Sequence, residues 1–137
     1  LSHLGADLLI ETLPKWIAGE IQPQAQDDSR ATYAPMLKKE EGRLDFTRDV
    51  NELERRVRAM NPWPGAFMEF DGAILKIHRA HVEAGSASAG ERMIVQGQPA
   101  VGAGGEILVL DEVQPAGKKS MSGKSFMAGA RNWVLVE

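Results

Sequence analysis

The stretch AFMEFDGAILKIHRAHV, Ala66–Val82, decides the fold. Two runs rich in β-branched and aromatic residues flank Asp71-Gly72, and a two-residue Asp-Gly link is the strongest short-range hairpin signal a sequence offers. The chain therefore turns back on itself here as two antiparallel strands. Downstream, RMIVQ, PAVGA and EILVLDEV repeat the pattern, with Gly104-Gly105 separating the last two. The mildly low-complexity GSASAG, Gly85–Gly90, reads as a flexible loop.

Upstream, GRLDF reads as a further short strand. Asp49 and Glu52 stand at capping-box spacing, and Val50, Leu53, Val57 and Met60 place one apolar stripe on a helix that stops before NPWPG. Near the C-terminus, SGKSFMAGARN reads as a short helix capped by Ser122, and WVLV closes the chain. Five or six short strands with glycine turns and short helices predict a mainly β domain, a small Greek-key barrel of the oligonucleotide-binding type.

The first residues are different. Leu1, Leu4, Leu8, Leu9, Leu13, Trp16 and Ile17 recur at helical spacing, with Gly19 as the stop. EIQPQAQDDSRATYAP, Glu20–Pro35, is polar, carries two prolines and has no period. The expectation is three parts: residues 1–19, the terminal helix of a missing upstream domain; 20–35, a linker; and 36–137, the barrel. The chain, which begins at Leu1, is read as a fragment of a longer polypeptide.

Composition narrows the function. With no cysteine there is no disulfide, thiolate metal site or Cys nucleophile, which suits a reducing, cytoplasmic setting. No apolar run approaches the eighteen or so residues a membrane span needs, so no membrane partner is expected. There is no HExxH, GxSxG or Walker loop, and GAGGE lies between strands rather than before a helix. His78 and His81, three apart on a strand, are expected on opposite faces, unable to share a metal ion. Catalytic, cofactor and metal sites are therefore expected to be absent from this chain.

The cations are more telling. The chain holds nineteen acids against sixteen lysines and arginines, yet QPAGKKSMSGKSFMAGAR, Gln114–Arg131, carries Lys118, Lys119, Lys124 and Arg131 with no acid. Its glycines allow close backbone approach, and Ser120 and Ser122 offer hydroxyls to phosphate. Lys38 and Lys39 begin the barrel, while Arg55, Arg56 and Arg58 share helix surface, with Glu52 and Glu54 spaced to pair with Arg56 and Arg58. These nine cations are the candidate nucleic-acid contacts. Trp63, between two prolines, is expected to plug the barrel rather than serve as a stacking platform for bases.

Three strings, KKEEGRLDF, RAMNPWPGAF and QPAGKKSMSGKSFMAG, occur in an order and spacing that resemble the C-terminal domain of the methionyl-tRNA formyltransferase family. LGADLLIETL and QDDSRATYAP resemble the last helix of that family's catalytic domain and its linker. The resemblance implies an intact enzyme that moves a formyl group from 10-formyltetrahydrofolate to the amino group of methionyl initiator tRNA. Folate and catalytic residues would lie on the upstream Rossmann-like domain, so this fragment alone would hold no cofactor and be inactive. Its partners would be that domain and the tRNA, with Lys38, Lys39, Lys118 and Lys119 matching the tRNA-facing side. The alternatives are the equivalent domain of a sugar-nucleotide formyltransferase or a formyltetrahydrofolate hydrolase, or a plain interaction module.

Overall fold

A computed structural model describes residues 1–134 and divides the chain into two compact units, Leu1–Pro35 and the remainder from Met36. The first unit carries helix α1, Ser2–Ile17, none of whose residues is buried. Its end is a full Schellman cap. Gly19, at φ +74°, donates to the Trp16 carbonyl, and Glu20 donates to the Lys15 carbonyl, each at 3.0 Å. A single 3-10 turn at Asp28–Arg30, capped by Asp27, interrupts the polar stretch that follows.

The second unit is a six-stranded antiparallel sheet with two short helices. Its strands are β1 (Ala66–Phe70), β2 (Ala73–Glu83), β3 (Arg92–Val95), β4 (Gln98–Ala103), β5 (Glu106–Pro115) and the two-residue β6 (Met121–Ser122). The order β1-β2-β5-β4-β3, with β6 on β5, places the β3-β4-β5 meander beside β2 in Greek-key fashion. All three tight hairpins use two residues with positive φ, the mirror-image turn whose twist matches that of paired strands: Asp71-Gly72, Gln96-Gly97 and Gly104-Gly105. The sheet path is open between β1 and β3. Phe70 of β1, Arg92 of β3 and Trp133 fill the opening. Trp133 donates from Nε1 to the Met93 carbonyl at 2.8 Å, and the Arg92 guanidinium lies 5.3 Å from the Phe70 ring centre and 5.7 Å from that of Trp133.

Helix α2 (Val50–Met60) lays Val50, Leu53 and Val57 on one face of the sheet, against Leu75, Ile77, Leu108, Leu110 and Val113. Asp49 caps it by accepting from Glu52 N at 3.0 Å, but the Glu52 side chain turns to Arg48 instead of completing a capping box. Helix α3 (Gly123–Met127) is shorter than the sequence pattern suggests. Its cap is Ser122, whose Oγ accepts from Ser125 N at 3.2 Å.

Four local expectations are corrected. GRLDF is not a strand: Lys39–Gly42 forms a 3-10 turn and only Arg43 makes a single parallel bridge, to Phe67. GSASAG is not loose. Ala87 packs on the small cluster Ala100, Ile107 and Val109, and Gly90 and Gly102 are joined by a 2.8 Å backbone bond. Trp63 is 54% exposed, whereas Trp133 is fully buried against Phe70 and Phe126, so the plug is Trp133. Finally, His78 and His81 do not point to opposite faces. A bulge between Ile77 and Ala80 resets the strand's alternation, so these two both join the core and the histidines that follow them share the outer face. The closing WVLV is described only to Val134; Leu135 and Val136 lie outside the described residues.

Candidate nucleic-acid interface

The nine candidate cations fall in two groups. Lys38 and Lys39 lie at the 3-10 turn before α2, and Arg55, Arg56 and Arg58 lie on α2 itself. Arg56 ties the two together by donating to the Glu41 carbonyl at 3.1 Å, with the Glu52 carboxylate 3.9 Å away. Arg58 grips Glu54 through two hydrogen bonds, of 2.7 and 3.0 Å. That carboxylate raises the Arg58 pKa above its already high ordinary value, by hydrogen bonding first and by charge second. Arg56 and Arg58 are thus engaged within the protein. Lys38, Lys39 and Arg55 are exposed and have no ion-pair partner among the described residues.

The second group stands around the end of β5. Pro115-Ala116-Gly117-Lys118 is a tight turn, with Lys118 N on the Pro115 carbonyl at 3.1 Å and Gly117 at φ +73°, as a type II turn demands. The His78 ring contacts Gln114 Oε1 at 3.0 Å, and Gln114 Nε2 donates to the Lys118 carbonyl at 2.9 Å. This relay pins the turn's backbone while the Lys118 and Lys119 side chains stay exposed. Lys124 on α3 and Arg131 beyond it are exposed too. No ion pair or hydrogen bond joins the two groups among the described residues.

The segment is free of acids in sequence but not in space. Glu112 of β5 sits opposite Ser122 and accepts from the Ser120 hydroxyl. With Ser122 capping α3, both hydroxyls expected to meet phosphate already have protein partners. Sequence reasoning also passed over Lys76, an exposed cation whose β5 partner is Gln114. Alternating polarity along β2 signals it, but its neighbourhood to the Lys118 turn depends on strand order. On the sheet's outer face, His81 Nδ1 lies 2.9 Å from Asp111 and 3.0 Å separates the His78–Gln114 pair. No three of His, Cys, Asp and Glu among the described residues converge as metal ligands.

Residues 36–131 match the family described as "Formyl transferase, C-terminal domain". The chain belongs to this family of C-terminal domains, and in it Lys118 and Lys119 stand exposed on a pinned turn. Among its relatives, the methionyl-tRNA formyltransferase of Chloroflexus aurantiacus is 42% identical over 133 residues, covering 94% of this chain and 43% of the relative. That of Bacillus pumilus is 44% identical over 135 residues, covering 95% and 42%. The chain thus spans less than half the length of the curated relatives it matches. Among solved structures, a variant of HypX from Aquifex aeolicus superposes with a TM-score of 0.67 at 17% identity, covering 89% of this chain and 22% of that one. At that identity the likeness is one of fold.

Proposed function

We propose that this chain is the C-terminal portion of a methionyl-tRNA formyltransferase, and that it holds the tRNA backbone while an upstream domain carries out formyl transfer. The observation that carries this reading is the 42% identity over 94% of the chain. A match of that length runs beyond the family region at 36–131 and through most of Leu1–Pro35. In the intact enzyme a formyl group would pass from 10-formyltetrahydrofolate to the amino group of methionyl initiator tRNA. This chain would supply neither catalytic group nor folate site. Its contribution would be positional, since holding an amine beside a formyl donor makes a bimolecular encounter effectively intramolecular. Lys38, Lys39, Arg55, Lys118, Lys119, Lys124 and Arg131 would contact phosphates, which fix register and carry little sequence information. Arg56 and Arg58 would chiefly order the α2 surface beneath them.

Lysine acylation with and without ligand tests it. Initiator tRNA is expected to protect Lys118 and Lys119, and a nucleotide sugar to leave them reactive. Protection by the sugar and not by tRNA would transfer the chain to a sugar-modifying enzyme.

A further inference from the structure

Beside the Pro115–Lys118 turn opens a groove of about 440 Å³, walled by Phe70, Ile74, Leu75 and Phe126 and bordered by Lys118 and Ser125. A smaller hollow of about 220 Å³ adjoins it; Ile74, Pro115 and Ala116 line both, and Lys76 lines only the second. The larger space alone is within the range of small-ligand sites, about 300–1,000 Å³. Ile74 is a large apolar side chain left 48% exposed between the two hollows. Lys76 and Lys118, one in each hollow, have no carboxylate within ion-pair distance among the described residues. The one carboxylate among the lining residues is Asp71, in the β1–β2 turn, with Asn132 also on the border. Gly117, without a side chain, leaves the turn's backbone open on the smaller hollow.

An apolar wall with a free cation in each of two adjoining hollows matches a ligand that alternates flat apolar faces with anions. Single-stranded nucleic acid has that repeat, bases packing on side chains while cations follow the backbone. We propose that this groove receives one unstacked nucleotide of bound RNA, its base against Ile74 and its flanking phosphates at Lys76 and Lys118. Asp71 and Asn132 are then placed to accept from an exocyclic amine. The inference rests on the tRNA reading above and adds a site to it, since phosphate contacts on duplex RNA need no apolar wall.

The test compares a labelled single-stranded RNA of about five nucleotides with a blunt RNA duplex, by anisotropy at about 50 mM salt. The whole chain, its Ile74→Ser variant and its Lys76→Ala variant are titrated, with melting temperatures measured in parallel. Ile74→Ser is expected to weaken single-strand binding about tenfold, equivalent to about 1.4 kcal/mol, and to leave duplex binding unchanged. Lys76→Ala, at an exposed position that does not threaten folding, is expected to weaken single-strand binding several-fold. Duplex binding with no Ile74 or Lys76 effect on the single strand overturns the groove and leaves the tRNA reading standing. Failure of the unaltered chain to bind either RNA overturns both. Displacement of the single strand by micromolar free AMP overturns the RNA assignment and makes the groove a mononucleotide site.

Discussion

Replacing Trp133 with alanine tests the packing that closes the barrel. Its indole is fully buried, with ring centres 5.1 Å from Phe70 and 5.7 Å from Phe126. Removing a buried aromatic costs about 3–5 kcal/mol in transfer and cavity terms. The substitution also deprives the Met93 carbonyl of its 2.8 Å donor and Arg92 of one of two aromatic faces. Both effects fall on β3, an edge strand held to the sheet only by β4. For a domain of this size the lower figure corresponds to at least about 12 °C in Tm. Trp133→Phe keeps the ring contacts and loses mainly the hydrogen bond, at about 1 kcal/mol. Trp63→Ala, at a half-exposed ring, should remain within about 0.5–1 kcal/mol of the parent. Urea denaturation followed by circular dichroism gives all three values on one scale. A cost below about 1 kcal/mol for Trp133→Ala, or an equal one for Trp63→Ala, would refute the assignment of Trp133 as the plug.

Other outcomes follow from the same geometry. Changing Lys118, Lys119, Lys124 and Arg131 together to alanine should flatten the dependence of log K on log salt for tRNA by about 3 to 4 units, near 0.9 per lost phosphate contact; an unchanged slope removes this segment from the interface. Gly123→Ala should destabilise by about 1–3 kcal/mol in urea melts, because a β-carbon there runs into the Leu110 carbonyl, whereas Gly72→Ala meets no neighbour and costs only its turn strain. Asp49→Ala should cost about 1 kcal/mol through loss of the α2 cap, with Asp49→Ser recovering most of it. Gln114→Ala breaks the link from His78 to the Lys118 carbonyl; it should speed amide exchange in the Gly117–Lys119 turn while barely moving Tm.

How legible this was in the sequence differs from place to place, for physical reasons. The Asp71-Gly72 and Gly104-Gly105 hairpins were readable because positive φ at two successive residues favours short or absent side chains, and those residues are written in the chain. Gln96-Gly97 makes the same turn with half the signal. The α2 stripe and its Asp49 cap were readable because both are local. The β2 bulge was not: it is set by how Ile77 and Ala80 both reach the core, and it alone reversed the expected placement of His78 and His81. Nor was the plug, since one buried and one exposed tryptophan look alike until strands β1 and β3 are known to face each other. The candidate interface was half legible. Runs of lysine are visible in sequence, but Glu112 beneath Ser120, and Lys76 across from Gln114, join it through sheet register.

The most direct test of the central claim is a titration of labelled initiator tRNA with this chain, at about 50 and 200 mM salt. Seven phosphate contacts predict measurable binding at the lower salt that weakens by about three to four orders of magnitude at the higher. Absence of binding at the lower salt, or an affinity indifferent to salt, would contradict a chain that grips the tRNA backbone.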